Sequence, residues 1–335
     1  MSRFCIIYHQ PSMFQQYFTT LETYFKDLDL GGTPATLYDP INYHLSLGGK
    51  RIRPLLCMLS YELFKSDYVQ VLPQAAAIEM FHNFTLVHDD IMDEAPERRG
   101  ATTLYRKFGL NAGILGGDAM LILTYQLLAE HISPDLLTKC LDVFNEAALA
   151  ICEGQQYDMD FESRIDVTLD EYLQMIQFKT AVLLGASMAI GGMKASVDND
   201  TSHLLWNCGE AMGMAFQMQD DLLDVFGQSA KTGKQQGGDI IQGKKTILLV
   251  KALELSNDRQ KSELRSLIGN SELGESEKVR AVTEIYQSLE VESHCNGLKQ
   301  HFLNQGFAAL DAIDVPESGK DKLRALFSSM IHRDS

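Results

Sequence analysis

The chain has 335 residues, of which 45% are hydrophobic and 22% charged, a composition typical of a globular protein with a substantial core. Its formal net charge at pH 7 is −16. This charge argues against nucleic acid or an anionic membrane surface as the main partner, because both are bound by clusters of Lys and Arg. An anionic ligand must therefore meet positive charge concentrated at one place, or a bound metal ion.

The cysteines and the apolar stretches indicate a soluble protein of a reducing compartment. The six cysteines are scattered, without a C-x-x-C pair or a histidine at zinc-finger spacing, so we expect free thiols and a cytoplasmic location. The longest apolar stretch, residues 181–193, is interrupted by glycines and is too short to cross a bilayer. We therefore expect no membrane span and no signal peptide.

The distribution of proline predicts long helices. Residues 135–315 contain no proline, and residues 133–135 (SPD) are typical of a helix start. Apolar residues then recur at helical spacing, whereas sustained alternation of period two is rare. We predict an all-α fold in one domain covering residues 1–335. We expect residues 1–15 to be loosely ordered and the acidic segment 270–291 to form a solvated pair of helices.

Three basic residues stand at a predicted helix start. Residues 48–54 read GGKRIRP, so two glycines precede Lys50, Arg51 and Arg53. The glycines allow the backbone to turn, and a helix N-terminus with nearby cations suits an oxyanion. Ordinary surface charge is the alternative for each, and for Arg51 we adopt that interpretation.

The next cluster is acidic and ends a long run without helix breakers. Residues 88–93 read HDDIMD. In a helix Asp89 and Asp93 lie about 40° apart and one turn along, so both carboxylates project from one face. Because like charges at this spacing repel, a cation should lie between them unless they face water. Two arginines, Arg98 and Arg99, follow directly.

The same D-D-x-x-D spacing recurs 131 residues later, at Asp220, Asp221 and Asp224. With Gln217 these residues form the polar side of a helix whose other side is apolar. A solvated acidic face is the simple interpretation of either cluster alone. Two such clusters on helices that face each other would instead form a site for a hard cation with oxygen ligands, in particular Mg²⁺ when phosphate completes its shell.

A glycine-rich basic segment follows the second acidic cluster. Residues 233–246 read GKQQGGDIIQGKKT. The segment lacks the Ser or Thr of a nucleotide-binding P-loop, and it follows a helix rather than a strand. We interpret it as a flexible lid whose lysines, among them Lys234 and Lys244, reach a diphosphate. A plain surface loop is the alternative.

In this order the motifs resemble those of the trans-isoprenyl diphosphate synthases, the family that includes farnesyl and geranylgeranyl diphosphate synthases. The resemblance spans about residues 48–246 and also includes Gly117-Asp118, Gly154-Gln155 with Asp158, and Lys179-Thr180. It implies a single large helical bundle surrounding a deep central cavity, usually as a homodimer, with both aspartate motifs at the cavity mouth. Beyond about residue 252 the resemblance is only general.

The resemblance implies a role for each candidate residue in binding two diphosphates and several magnesium ions. Direct metal ligands would be Asp89, Asp93 and Asp220, supported by Asp90, Asp221 and Asp224. The allylic diphosphate (dimethylallyl, geranyl or farnesyl) would be bound by Arg98, Lys179 and Lys234, helped by Thr180, Gln217 and Lys244. Isopentenyl diphosphate would be bound by Lys50, Arg53, His82 and Arg99.

The resemblance also indicates a product length. In similar synthases two adjacent aromatic residues before the first aspartate motif accompany farnesyl products, whereas a single aromatic at the position of Phe84 accompanies geranylgeranyl products. Here Phe84 precedes Asp89 by five residues, and the adjacent Thr85 is small. We therefore expect geranylgeranyl diphosphate, with farnesyl diphosphate as the alternative. Simple core packing is the other interpretation of Phe84.

The expected reaction needs no protein nucleophile, because metal ions and basic residues stabilise the departing diphosphate and isopentenyl diphosphate attacks the resulting cation. Two other functions stay open. A class I terpene cyclase usually has one aspartate-rich motif and needs no second diphosphate pocket. A non-catalytic synthase subunit typically lacks one aspartate cluster. Both clusters are present here together with Lys50 and Arg53, which favours the synthase.

Overall fold

The computed structural model describes residues 12–28, 30–227, 237–270 and 273–331, and these residues are helical nearly throughout. The helices in chain order are α1 (Gln15–Asp27), α2 (Ala35–Ser46), α3 (Ile52–Glu62), α4 (Leu72–Met92), α5 (Leu104–Phe108), α6 (Leu110–Leu128), α7 (Pro134–Glu162), α8 (Leu169–Ile176), α9 (Val182–Lys194), α10 (Asn199–Phe226), α11 (Gly238–Gln242), α12 (Ile247–Leu255), α13 (Asp258–Gly269), α14 (Glu275–Ser288), α15 (Val291–Asp311) and α16 (Glu317–Ile331). Two short strands, β1 (Glu97–Arg98) and β2 (Ala101–Thr102), pair antiparallel. The all-α prediction is confirmed.

The described residues group into two compact units. The first comprises the residues up to Val143 together with Ser187–Ser202, and the second comprises Phe144–Ala186 together with the residues from His203 onwards. Helices α7, α9 and α10 contribute residues to both. One domain covering residues 1–335 remains a prediction.

Helix α4 forms the centre of the first unit because it is buried on every side along its first half. Residues 72–81 are all buried, so the helix has no solvent-exposed face there. It packs against α3 and α6. In α6 a Cβ atom at Gly117 would lie 2.2 Å from Nε2 of His88, so any larger residue there would displace the His88 side chain. The contact holds the last turn of α4, which carries Asp89 and Asp90.

Helix α12 occupies the same position in the second unit. Its residues 247–250 are buried consecutively, and α8, α14 and α15 pack against it. Tyr172, Met218 and Tyr286 complete the core around it. The region beyond residue 252, for which the sequence had little signature, therefore supplies part of the core that supports the second aspartate motif.

Two local expectations differ from the structure. The acidic segment 270–291 was expected to be a solvated helix pair, but its described part contains the single helix α14, whose Val282 and Tyr286 are buried. An apolar residue every fourth position gives this helix a core-facing side. Residues 12–15 are helical and Phe14 is fully buried, so the N-terminal chain is packed from there on. Residues 1–11 lie outside the described part.

One continuous helical stretch within the described chain, Leu169–Lys194, is long and apolar enough to cross a membrane by length and composition alone. Its most apolar window has a mean hydropathy of 1.3, and 67% of that window is buried inside the fold. The stretch is therefore weak support for a membrane span, since a core helix has the same properties.

Candidate functional site

The first aspartate motif lies at the C-terminal end of α4. Asp89 and Asp90 are in its last turn, and Asp93 is the C-cap residue, whose backbone N–H donates to the Asp89 carbonyl at 2.8 Å. Asp93 is exposed and Asp89 is half-buried. A helix C-terminus carries partial negative charge, so these two carboxylates are disfavoured both by the helix dipole and by each other. A bound cation would reverse this penalty.

Asp90 has a different environment from that of Asp89. It is 1% exposed, its Oδ1 accepts from Nε of Arg98 at 2.7 Å, and its Oδ2 has no hydrogen-bond partner within the described residues. Burial raises the pKa of Asp90, and the Arg98 guanidinium opposes that shift. Asp90 thus holds Arg98 in place, which is a supporting role rather than that of an exposed metal ligand.

Arg98, Arg99 and Gly100 form a tight hairpin that the sequence motif did not reveal. Arg98 pairs with Ala101 across the ladder, and Arg99 and Gly100 are the turn residues, with φ angles of 56° and 71°. Positive φ at both central residues is typical of a type I′ turn. Nη1 of Arg99 donates to the Gly48 carbonyl. Consecutive arginines are therefore held by two separate acceptors, Asp90 and Gly48.

The glycine-rich turn before α3 brings together basic residues that were predicted to bind a diphosphate. Nη1 of Arg53 lies 3.2 Å from Nε2 of His82. Burial, with Arg53 next in importance, lowers the pKa of His82 well below its ordinary value, so His82 is neutral at pH 7. Nε of Arg53 is buried and has no partner among the described residues, which leaves a donor for a ligand. Lys50 is exposed.

Arg51 is not surface charge, and that interpretation of the sequence is wrong. Its side chain is 2% exposed, with Nε 2.9 Å from Glu22 and Nη1 2.7 Å from Glu79. Glu79 is also 2% exposed. The partners come from α1 and α4, 29 and 28 residues away, so local spacing contains no sign of the pair.

In the second unit Asp221 is buried and fully bonded. Its Oδ2 accepts from the Tyr172 hydroxyl at 2.7 Å and from the Ile247 N–H at 3.1 Å, and its Oδ1 accepts from Nε2 of Gln217 at 3.0 Å. Burial raises the pKa of Asp221 to about 7, although these hydrogen bonds favour the carboxylate. Gln217 in turn accepts from the Thr180 hydroxyl at 3.3 Å. Asp221 therefore orients Gln217 and Thr180.

Asp224 binds the backbone of the segment that was predicted to be a lid. Its Oδ2 accepts from the Asp239 N–H at 3.0 Å, and its carbonyl accepts from the Gly237 N–H at 2.8 Å, where α11 begins. Lys244 is exposed, with Nζ 3.7 Å from Oδ1 of Asp239. Lys234 lies outside the described residues.

Asp220 precedes Asp221 and Asp224 on α10 and is half-buried. The three carboxylates of the motif thus have different surroundings despite their regular spacing.

Lys179 and Thr180 lie on a π-helical turn, Gln177–Ala181, between α8 and α9. Such turns occur frequently at functional sites. Nζ of Lys179 donates to Oδ2 of Asp158 at 2.5 Å. A Cβ atom at Gly154 would lie 2.3 Å from the Lys179 backbone nitrogen. Gly154 and Asp158, one turn apart on α7, therefore fix the backbone and the side chain of Lys179 respectively.

Phe84 is half-buried on α4 in a row of aromatic side chains. Its ring centroid lies 5.4 Å from that of Phe81 and 4.9 Å from that of His88. Residues at this spacing share one helix face. The row ends beside Asp89, which is compatible with a role in limiting chain length, and that role remains a prediction.

The carboxylates fit magnesium only together with a substrate. Within the described residues no group of three or more His, Cys, Asp or Glu side chains is arranged to hold a metal ion. Asp89 and Asp93 therefore offer a pair of ligands rather than a closed cage. Mg²⁺ is commonly bound by one or two carboxylates, with waters and substrate phosphates in the other positions. The donor set thus suits magnesium that arrives with a diphosphate.

Tyr172, Ile247 and Glu79 had no role in the sequence interpretation, although they hold residues that did. For Glu79 a signal was present, because it is a single carboxylate within the apolar run LPQAAAIEMF. An ionised side chain at such a position requires a buried partner. For Tyr172 and Ile247 no comparable signal exists, since aromatic and aliphatic residues are expected in a core.

The sequence pattern of the polyprenyl synthetase family matches residues 34–287. The chain belongs to the polyprenyl synthetase family. Its relatives include a short chain isoprenyl diphosphate synthase of Methanocaldococcus jannaschii, 39% identical over 254 residues, or 76% of this chain and 77% of that protein. A geranylgeranyl diphosphate synthase of Sulfolobus acidocaldarius is 35% identical over 317 residues, covering 92% of this chain and 94% of that one.

Solved structures of the polyprenyl synthetase family have the same fold. A crystal structure of a geranylgeranyl pyrophosphate synthase, 37% identical, superposes with a TM-score of 0.90 and covers 97% of this chain and 100% of that chain. The likeness identifies the all-α architecture as the isoprenoid synthase fold. The recognition made from the sequence motifs is confirmed.

In this polyprenyl synthetase we expect Asp224→Asn and Asp224→Ala to differ, because only asparagine keeps an oxygen that accepts from the Asp239 N–H. Hydrogen bonds to charged groups contribute about 1.5–3 kcal/mol, so alanine should speed hydrogen exchange at residues 238–244 by about tenfold or more. Asparagine should retain most of the protection. Asp198→Ala, which removes a carboxylate bonded to the Thr201 N–H, is the control and leaves residues 238–244 unchanged. Equal protection in both Asp224 variants would contradict the assignment.

Proposed function

We propose that the chain is a short-chain prenyl diphosphate synthase that joins an allylic diphosphate to isopentenyl diphosphate. The observation that carries the proposal is the presence of two sets of groups suited to anions within one chain. The carboxylate pair Asp89 and Asp93 suits a diphosphate bound through magnesium. Arg53, His82 and Arg99 form a second set, which contains no carboxylate of either aspartate motif and suits a diphosphate bound directly. The names of the relatives above support this function.

The residues of the second unit are suited to the allylic diphosphate. The Lys179 ammonium, held by Asp158, supplies positive charge to an oxygen that becomes more negative as the allylic carbon–oxygen bond breaks. Thr180 and Gln217, held by Asp221, add hydrogen-bonding groups in fixed orientations. Magnesium bound at the motif carboxylates would supply further positive charge to a leaving diphosphate.

The residues of the first unit are suited to isopentenyl diphosphate. The unpaired Nε of Arg53 and the exposed Lys50 can bind a second diphosphate. The neutral His82 accepts from Nη1 of Arg53 through Nε2, so its Nδ1 carries the proton and can donate a hydrogen bond. The double bond of this substrate attacks the allylic cation, forming one carbon–carbon bond. The condensed cation then loses a proton, and the released diphosphate is the base that accepts it.

The metal assignment predicts that excess EDTA abolishes condensation and that added magnesium restores it. Asp89→Ala should lower turnover by at least about a hundredfold, by analogy with the loss of other charge-stabilising groups. The control Asp142→Ala removes an exposed carboxylate of α7 and should leave turnover within about twofold. Full activity in excess chelator, or a loss below about tenfold for Asp89→Ala, would mean that the motif is a solvated face.

The same assay separates the proposed function from its rivals. A terpene cyclase converts the allylic substrate to a hydrocarbon or alcohol without isopentenyl diphosphate, whereas a synthase also consumes one isopentenyl diphosphate for each condensation step. A non-catalytic subunit turns over neither. Measuring the products of the purified chain with and without isopentenyl diphosphate distinguishes these three outcomes.

We further propose that the main product is geranylgeranyl diphosphate and that Phe84 limits its length. Replacing the ring by a methyl group opens space beside the helix, so Phe84→Ala should shift products towards longer chains while leaving the first condensation largely intact. Chromatography of the dephosphorylated products measures the shift. Phe64→Ala, which removes a half-buried ring outside α4, is the control and should not alter the products. An unchanged spectrum from active Phe84→Ala would remove Phe84 as the determinant.

We also propose that the chain forms a homodimer through α6. This helix has a set of exposed apolar side chains, which are Leu110, Ile114, Leu115, Ile122 and Tyr125. At 100° per residue they fall within about 140° of the helix circumference, so they form one face. The exposed Asn111 and Asp118 lie within the same arc, so the face is apolar except at these two positions. A largely apolar face is typical of a protein interface, and a second copy of the chain offers the matching face.

The dimer proposal predicts that Ile122→Lys weakens association. Ile122 is 60% exposed, so a lysine there should be tolerated by the folded monomer but not by an apolar interface. Sedimentation velocity should show the wild type at twice the chain mass and the variant shifted to the monomer at micromolar concentration. Val69→Lys, at another exposed aliphatic position, should remain dimeric. A monomeric wild type would contradict the proposal.

A further inference from the structure

The turn before α3 has a backbone conformation that needs an external restraint. Gly48, Gly49 and Arg51 have φ angles of 73°, 155° and 49°, and Arg51 is the N-cap residue of α3 in the left-handed region. That region is disfavoured for a residue with a Cβ atom, so it persists only where surrounding contacts hold it. Glycine explains the first two positions but not Arg51.

The contacts that hold Arg51 come from three helices. Its Nε bonds Glu22 of α1 at 2.9 Å, its Nη1 bonds Glu79 of α4 at 2.7 Å, and its Nη2 donates to the Leu45 carbonyl of α2 at 3.3 Å. The guanidinium carbon also lies 5.4 Å from the centroid of the Phe25 ring. Three of its nitrogen atoms are thus engaged within the protein, and the side chain is buried.

Glu79 is the central group of this arrangement. Its Oε1 accepts from Arg51 and also from Nδ2 of Asn83 at 3.2 Å. Burial lowers the pKa of Arg53 to about 10 and also lowers that of Arg99, and in each case the Glu79 carboxylate is the next influence and opposes the shift. The buried Glu79 carboxylate therefore favours the charged state of both Arg53 and Arg99.

The same turn carries or contacts the basic residues assigned to the second diphosphate. Lys50 directly precedes Arg51, and Arg53 follows it by two residues. Arg53 lies against His82, which is three residues after Glu79 on the same face of α4. Nη1 of Arg99 bonds the Gly48 carbonyl, and a Cβ atom at Gly49 would lie 2.9 Å from its Nη2.

We propose that Arg51 and Glu79 are positioning residues for the second diphosphate, which hold the turn from Gly48 to Arg53 without themselves contacting the ligand. The proposal rests on the proposed function for the identity of that ligand as isopentenyl diphosphate. Arg51 acts by fixing the backbone on which Lys50 and Arg53 stand, and Glu79 acts by fixing Arg51 and by offsetting the charges of Arg53 and Arg99. An ion pair with only a structural role would also stabilise the fold, but its removal would leave the affinity for the substrate unchanged.

The charge-neutral double variant Arg51→Met with Glu79→Leu tests this distinction. It removes both buried charges together, and the remaining partner, Glu22, is 40% exposed and can be solvated by water, so the chain should fold. We expect the KM for isopentenyl diphosphate to rise by at least about tenfold, while the KM for the allylic substrate stays within about threefold. Arg51→Lys keeps the charge but not the planar set of donors and should give an intermediate value.

Lys320 provides a matched control for the loss of a buried cation. Its side chain is 2% exposed, and its Nζ bonds Glu317 at 2.9 Å and the Asp311 carbonyl at 3.0 Å. Lys320→Met should lower the thermal midpoint without altering either KM. A double-mutant cycle adds a second readout, because a positioning effect that acts through Arg53 shrinks when Arg53→Ala is already present.

Direct binding separates failure of this inference from failure of the proposed function. Calorimetry with isopentenyl diphosphate and with inorganic diphosphate measures affinity without turnover. A folded double variant with unchanged KM and unchanged affinity overturns the positioning role and leaves the function intact. A wild type that binds diphosphate but forms no condensed product overturns the function, and weaker binding by the double variant then still supports the positioning role. A wild type that binds neither ligand overturns both.

Discussion

The cluster of basic residues in the first unit depends on one buried carboxylate, Glu79, that offsets the repulsion among several arginines. Burial is the main cause that lowers the pKa of Arg99 and of Arg53, and neighbouring arginines add to it: Arg51 and Arg98 for Arg99, and Arg99 for Arg53. Glu79 opposes that repulsion. The chain as a whole has a net charge of −16, so positive charge at this place requires that basic residues are held close together.

The first aspartate motif shows the same principle with the signs reversed. Two carboxylates at the negative end of α4 are unfavourable for the folded chain alone, whereas Asp90 between them is neutralised by Arg98. The motif thus combines one structural acid with two acids that retain the capacity to bind a cation. Residues that bind ligands commonly carry such a cost, which the rest of the fold offsets.

The second aspartate motif divides its residues in a similar way. Asp221 holds Gln217 through one oxygen and the start of α12 through the other, and Asp224 holds the start of α11. Both helices flank the segment that carries Lys244. Carboxylates that were expected to support metal ions therefore also set the backbone on either side of Lys244. The members of the motif therefore have different surroundings although their spacing is regular.

The aromatic row on α4 lies at a fixed distance from the first aspartate motif. Phe81, Phe84 and His88 lie on one face of a helix whose first half is buried on all sides. A residue placed five positions before Asp89 is about 7.5 Å along the helix axis at 1.5 Å per residue. Its distance from the aspartates is thus set by the helix itself.

The sequence by itself determined the helical architecture, both aspartate motifs, the basic clusters and the family, because each depends on residues within one or two helical turns. Only the tertiary structure decided which charges are paired. Arg51 appeared to be surface charge until Glu22 and Glu79 were placed beside it, and the hairpin turn at Arg99 and the bonds from Asp224 to α11 were equally hidden. Helical periodicity repeats every few residues and is therefore readable in the chain. The partner of a buried charge lies tens of residues away, and its identity follows from packing rather than from spacing.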